Sequence, residues 1–404
     1  MNQTGSGQNA AVATAAEGDS GRSASWKFNF GPGAGVNGYV NVRADALYSE
    51  KVGYGFEPGS LVYEKRRVLE NGIGTGGGQG TAGQQAELRS GFCIPLKASF
   101  LVDVPDGTYQ VLLLTGDAAT ETMTRVKAGE GRLMLPTVRT LPGQCQELRF
   151  SVVVRGGQLR LSFSGPAPRL NALEITRADQ TMTVFLAGDS TVTDQQESGY
   201  PYCGWGQLLP AQFKHDVAVD NHAHSGRSSR SFIDEGRLDA ILEKIKPSDF
   251  LFIQFGHNDE KPDPARGTEP FTTYKQYLKK YIDAAHAAHA IPVLITPVHR
   301  RYFGEDGKLT DTHGDYIVAV RELAAEENVP LIDLAERSRI LFEQAGVEGS
   351  KDDFMWVLPG EYLNFPEGVE DNTHFQERGA HRLAQQVAEA IRELRLQPLQ
   401  MYLR

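Results

Sequence analysis

Cysteine is scarce in this chain: three residues in 404, Cys93, Cys145 and Cys203, with no C-x-x-C spacing. That count and spacing point neither to a disulfide framework nor to a zinc-thiolate site, so reduced thiols are expected. No stretch approaches the roughly 18 apolar residues of a membrane span. The opening segment, residues 1–24, lacks both the basic and the apolar parts of a secretory leader. It reads as a flexible tail, and a cytoplasmic location is the matching expectation. Basic residues are outnumbered, 41 against 51 acidic, and the formal net charge of −10 argues against a nucleic-acid partner. No carboxylate and histidine cluster has metal-ligand spacing, and neither a metal nor a cofactor is expected.

What is present is a globular composition, 40% hydrophobic and 23% charged, in a chain long enough for two domains. From Trp26 to about Thr176 the pattern is short strands and turns. Phe100, Val102 and Val104 alternate, Pro105-Asp106-Gly107 turns, and Tyr109, Val111 and Leu113 alternate again, which predicts a hairpin. A second hairpin is predicted from Val152 to Phe163 around Gly156-Gly157. Together these imply a β-sandwich. The run at residues 71–83 contains a formal G-x-G-x-x-G at Gly72, Gly74 and Gly77, but no strand-and-helix context surrounds it, so it reads as a surface loop.

Beyond Arg177 strands alternate with helices, which implies a parallel sheet covered on both faces. The expected strands are Val184–Ala187, Val217–Asp220, Phe250–Phe255, Val293–Thr296 and Leu331–Ile332. Helical spacing links Tyr274, Tyr277, Leu278, Tyr281, Ile282 and Ala285, and again Leu383, Val387, Ile391 and Leu394. Five such strands give a flavodoxin-like three-layer α/β/α domain. The boundary falls near residue 179, with a sandwich over 25–178 and the α/β domain over 181–404.

A parallel sheet would bring four polar segments together at its carboxyl edge. They are Gly188-Asp189-Ser190, the stretch from Asn221 to Arg227, Gly256-His257-Asn258-Asp259, and Asp371-Asn372-Thr373-His374. A serine hydroxyl needs a base, an orienting acid and oxyanion donors before it can act as a nucleophile. Ser190 is the candidate nucleophile, His374 the base and Asp371 its orienting partner, with the D-x-x-H spacing suited to a loop. Oxyanion donors would be the N–H groups of Ser190 and Gly226 and the side-chain amide of Asn258. Serine is also a favoured helix N-cap, and a helix starting after Ser190 would add a favourable dipole. Asp189 is read as a turn residue without a chemical role.

These blocks, in this order, resemble the SGNH (GDSL-type) hydrolase superfamily. The fuller wording AGDSTVTD, GWGQLLP, GRSSRSFIDEGR, FGHNDEKPD, TPVHRR and DNTHFQERGA is similar to its rhamnogalacturonan acetylesterase branch, over roughly residues 181 to 396. The G-x-S-x-G elbow of α/β-hydrolases is absent around Ser190. FNFGPG, VDVPDGTYQVLLLTGD and LNALEI resemble the galactose-binding-like domains that precede some of these esterases. The resemblance implies a Ser-His-Asp esterase whose partner is an acetylated pectic oligosaccharide. His257, Arg227, Arg230, Arg300, Arg301 and Trp205 are candidate substrate contacts, the arginines because a pectic substrate is acidic and the protein is too. Trp205 is read as packing the edge of the site in preference to stacking on a sugar. Two rivals remain: a related esterase acting on acetylxylan or a lipid ester, and a carbohydrate-binding protein without activity.

Overall fold

A computed structural model of the chain describes residues 24–33, 35–67 and 81–404. The glycine-rich G-x-G-x-x-G run, apart from its last residues, and nearly all of the expected tail lie outside them. The chain divides into two compact units, one ending at Gln180 and one running from Thr181 to Arg404, and the second also takes in Glu130–Met134.

The first unit is a sandwich of two antiparallel-rich sheets. One orders Val40–Val42, Ser25–Phe30, Ala172–Arg177, Gly107–Gly116 and Cys145–Val154. The other contains Tyr54–Phe56, Leu61–Arg66, Gly91–Asp103, Gln158–Ala167, Thr122–Ala128 and Arg132–Thr140. Neither expected hairpin forms. Gly91–Asp103 pairs with Gln158–Ala167, whereas Gly107–Gly116 pairs with Cys145–Val154, so Pro105-Asp106-Gly107 and Gly156-Gly157 both carry the chain from one sheet to the other. Alternation reports one buried face per strand and is silent about which strand lies alongside. The two corners are tied together, with Val104 N–H donating to Gly157 O at 3.0 Å and Gly157 N–H to Asp106 Oδ1 at 2.8 Å.

The second unit is built on a five-stranded sheet whose spatial order is Val217–Asn221, Met182–Gly188, Phe250–Gln254, Ile291–Ile295, Leu331–Ile332, with every pairing parallel. This is the flavodoxin-like order 2-1-3-4-5. The central strands are buried throughout except at Met182, as continuous apolar runs require when both faces are covered. Alternate side chains feed two cores. Val184, Leu186, Phe250 and Phe252 meet Trp205, Leu383, Val387 and Ile391 on one face. Phe185, Ala187, Leu251 and Ile253 meet Phe232, Leu278, Tyr281 and Val320 on the other. Helix Glu377–Glu393 buries Leu383, Val387 and Ile391 at four-residue spacing, each such side chain contributing about 1.5–3 kcal/mol.

A smaller antiparallel sheet, not foreseen in the sequence, joins Tyr202–Cys203, Val369–Gln376 and Phe354–Val357. Among the described residues the three cysteines are free thiols, and no helix is long and apolar enough to cross a membrane.

Candidate active site

Ser190 lies just past the carboxyl end of Met182–Gly188. No helix begins there, contrary to expectation. A turn follows instead, closed by Val192 and Thr193 N–H groups donating to Asp189 O at 3.1 Å each. Asp189 builds this turn, its Oδ1 accepting from Thr191 N–H at 2.9 Å and from Thr191 Oγ–H at 2.7 Å. Ser190 is 8% exposed.

The Ser190 Oγ lies 2.8 Å from His374 Nε2, and His374 Nδ1 lies 2.7 Å from Asp371 Oδ2. An ionised carboxylate can only accept, so the ring proton belongs on Nδ1, and Nε2 is left to accept from the serine. Burial alone would raise the Asp371 carboxyl, but the bond and charge of His374, with the N–H groups of Thr373 and His374, hold it below the usual carboxylate range. The pair does not sit in a loop, as its spacing suggested. It sits in Val369–Gln376, where Phe354 and Met355 are adjacent yet pair with Phe375 and Asp371, so Asn372, Thr373 and His374 bulge from the ladder. Asp371 Oδ1 closes the bulge by accepting from Thr373 N–H at 2.7 Å and His374 N–H at 3.2 Å. The Tyr202 ring packs on the imidazole with centroids 4.8 Å apart.

Gly226 occupies the third position of the turn from His224 to Arg227 with φ of +82°, a conformation that a type II turn demands and that favours glycine. Asn258 donates one amide hydrogen to Arg227 O at 3.1 Å, which joins its loop to that of Gly226 and leaves its second hydrogen for another acceptor. Among the described residues neither the Ser190 N–H nor the Gly226 N–H has a hydrogen-bond partner. Asp259, fully buried, accepts from Ser229 N–H at 3.1 Å and also from Ser229 Oγ–H, and burial pushes its carboxyl up to about 7. Gln195 bridges the first two segments, donating to Ser190 O at 3.0 Å and reaching Ser225 Oγ at 3.5 Å. In the sequence Asp259 stands within its block without a role of its own, whereas Gln195 and Tyr202 are given none, and only proximity to a block could have marked them.

The candidate substrate contacts fare differently. Trp205 is fully buried and its indole N–H donates to Gln254 Oε1 at 2.9 Å, so it belongs to the core and cannot meet a sugar. His257 is 3% exposed, 3.4 Å from Asp189 Oδ2 and edge-on to His313, and burial lowers its pKa to about 4, leaving a neutral supporting ring. Arg227 pairs with Glu235 at 2.9 Å, Arg230 with Asp234 at 3.3 Å, and Arg300 with Glu260. Arg301 is 6% exposed and bonds within the protein, so it presents no charge to a substrate. Its burial corrects the expectation of a substrate contact. Among the described residues no group of three or more His, Cys, Asp or Glu side chains is placed to hold a metal ion.

A serine hydroxyl on an imidazole that is itself oriented by a carboxylate, at the carboxyl edge of a 2-1-3-4-5 sheet, is the arrangement of serine-dependent ester hydrolases. The chain belongs to the GDSL-like lipase/acylhydrolase family, whose profile matches residues 186–382, and it is a carboxylic ester hydrolase. Residues 26–175 match the galactose-binding domain-like family of β-agarase and YxiM-type esterases. The rhamnogalacturonan acetylesterase RhgT of Bacillus subtilis is 49% identical over 220 residues, 54% of this chain and 93% of that protein. The uncharacterized esterase YxiM of the same organism is 32% identical over 336 residues, 80% of this chain and 82% of that one. A crystal structure of YxiM covers 92% of this chain and 99% of its own at 28% identity, with a TM-score of 0.49.

Proposed function

We propose that this enzyme removes O-acetyl groups from acetylated rhamnogalacturonan oligosaccharides, with residues 181–404 as the catalytic domain and 25–178 as its galactose-binding-like companion. The observation that carries the reading is the unbroken line from Ser190 to His374 to Asp371, at 2.8 and 2.7 Å. The 49% identity to RhgT supports the choice of alcohol.

In this reading Ser190 Oγ attacks the acetyl carbonyl as His374 Nε2 takes its proton, and Asp371 steadies the imidazolium that forms. The oxyanion is received by the N–H groups of Ser190 and Gly226 and the second amide hydrogen of Asn258. When the tetrahedral adduct collapses, the bond to the sugar oxygen breaks and His374 returns its proton to that oxygen. Water, deprotonated by His374, then attacks the acetyl-enzyme, and acetate leaves as the serine regains its hydrogen.

One observation favours a second reading. The four arginines expected to attract an acidic polymer are paired or buried, which suits a neutral substrate such as acetylxylan equally well. Acetate release from acetylated rhamnogalacturonan, homogalacturonan and xylan oligosaccharides separates the two. The first reading expects the highest kcat/KM on rhamnogalacturonan, and a preference for xylan would replace it.

A further inference from the structure

Arg301 is buried, and among the described residues no carboxylate lies within ion-pair distance of it. A buried cation without an acid partner is unfavourable unless other groups take up its hydrogens and its face. Here they do. Its Nε–H donates to Ser350 Oγ at 3.0 Å, one terminal nitrogen donates to Asn372 Oδ1 at 3.2 Å, and the other donates to Val347 O. The guanidinium Cζ lies over the Trp356 ring, 4.6 Å from its centroid and within the reach of a cation–π contact.

Arg301 and Trp356 converge on a single residue. Asn372 Oδ1 accepts from Arg301 and also from the indole N–H of Trp356 at 2.9 Å, while Asn372 O accepts from the Arg301 backbone N–H at 2.7 Å. Asn372 is the first residue of the three-residue bulge that carries His374 out of the strand. The bulge has lost its ladder bonds to Phe354–Val357, so its shape needs another anchor. Asp371 supplies one from inside. Arg301 and Trp356 supply the other from outside, through three hydrogen bonds to Asn372.

We propose that Arg301 is a positioning residue: stacked on Trp356, it clamps Asn372 and so fixes the bulge that presents His374 to Ser190. The inference rests on the reading of Asp371 and His374 as acid and base under the proposed function. Lysine cannot replace arginine in this role, because an ammonium has neither the planar face for Trp356 nor a fork that reaches Ser350, Val347 and Asn372 together.

The test compares Arg301→Gln and Arg301→Lys in the wild-type and His374→Ala backgrounds, reading kcat and KM on a chromogenic acetate ester alongside a melting curve. Both substitutions should lower kcat by about 10- to 100-fold with KM little changed, the scale of a small misplacement of a reacting group. Neither should lower it further once the His374 imidazole is gone, because the clamp acts by positioning that ring. A folded Arg301→Gln variant with wild-type kcat, a change confined to KM, or the same fold-loss in both backgrounds would each overturn the proposal. If Arg301→Gln does not fold, Asn372→Ala removes the clamped residue and leaves the cation stacked. It should show the same kcat loss and the same dependence on His374, and an unchanged kcat would overturn the proposal. Full activity in His374→Ala would instead sink the acid–base reading beneath it, whereas loss there with unchanged Arg301 variants sinks the clamp alone.

Discussion

Asp259 accepts hydrogen bonds from both the backbone N–H and the Oγ–H of Ser229, and so locks the loop that carries Asn258 onto the first turn of helix Ser229–Asp234. Burial pushes this carboxyl from the ordinary 3.8 up to about 7, so between those values the folded protein holds a proton that the unfolded chain has released. Stability from Asp259 is therefore complete below about pH 4 and is lost as pH rises to about 7. His257 acts in the opposite sense: burial lowers it from 6.5 to about 4, so its contribution is lost as pH falls through that window. Asp259→Asn mimics the protonated form. Its melting temperature minus that of the wild type should increase steadily from pH 4 to pH 7, and a difference that stays flat or shrinks would show that Asp259 ionises as an ordinary aspartate.

Asn258→Ala should lower kcat by about 10²- to 10³-fold with little change in KM, the scale for one oxyanion donor. In the proposed mechanism the amide faces charge that exists only in the transition state. Should KM rise alone, Asn258 would be a ground-state contact.

Trp205→Phe should destabilise the protein by about 1–3 kcal/mol, because the buried Gln254 Oε1 loses its donor, and should leave KM for an oligosaccharide unchanged. A raised KM with unaltered stability would return Trp205 to the substrate surface.

Ionic strength reports on the arginines. With Arg227, Arg230 and Arg300 already neutralised by Glu235, Asp234 and Glu260, an acidic oligosaccharide meets a protein of formal net charge −10. Raising salt shortens the reach of that repulsion to about 8 Å at physiological strength, so kcat/KM on uronate-containing substrates should rise modestly while a neutral acetate ester stays constant. A fall on the uronates would mean that positive charge outweighs the acidic background at the site.

The sheet was legible because each of its strands is a short apolar run bounded by turn residues, and Val184–Ala187 and Phe250–Phe255 come within two residues of their observed ends. The sandwich was legible as a class but not in its pairings, since Tyr109 and Leu159 show a buried face without saying which sheet it belongs to. Ser190, Asp371 and His374 could be named because their chemistry is specific. The bulge that brings His374 to Ser190 could not, because it depends on Asn372 meeting Arg301 and Trp356, 71 and 16 residues away. The arginines misled for a related reason: charge is visible in a sequence, whereas the partners Glu235 and Glu260 that neutralise it are a property of the fold.

The central claim is that Ser190 forms the acetyl-enzyme. A serine-directed phosphonate, followed by mass spectrometry of the digested protein, tests it most directly, with Ser190→Ala as the companion variant. The account predicts a single adduct on Ser190, no adduct on the folded alanine variant, and loss of nearly all acetate release in that variant. An adduct on another residue, or near wild-type turnover by Ser190→Ala, would contradict it.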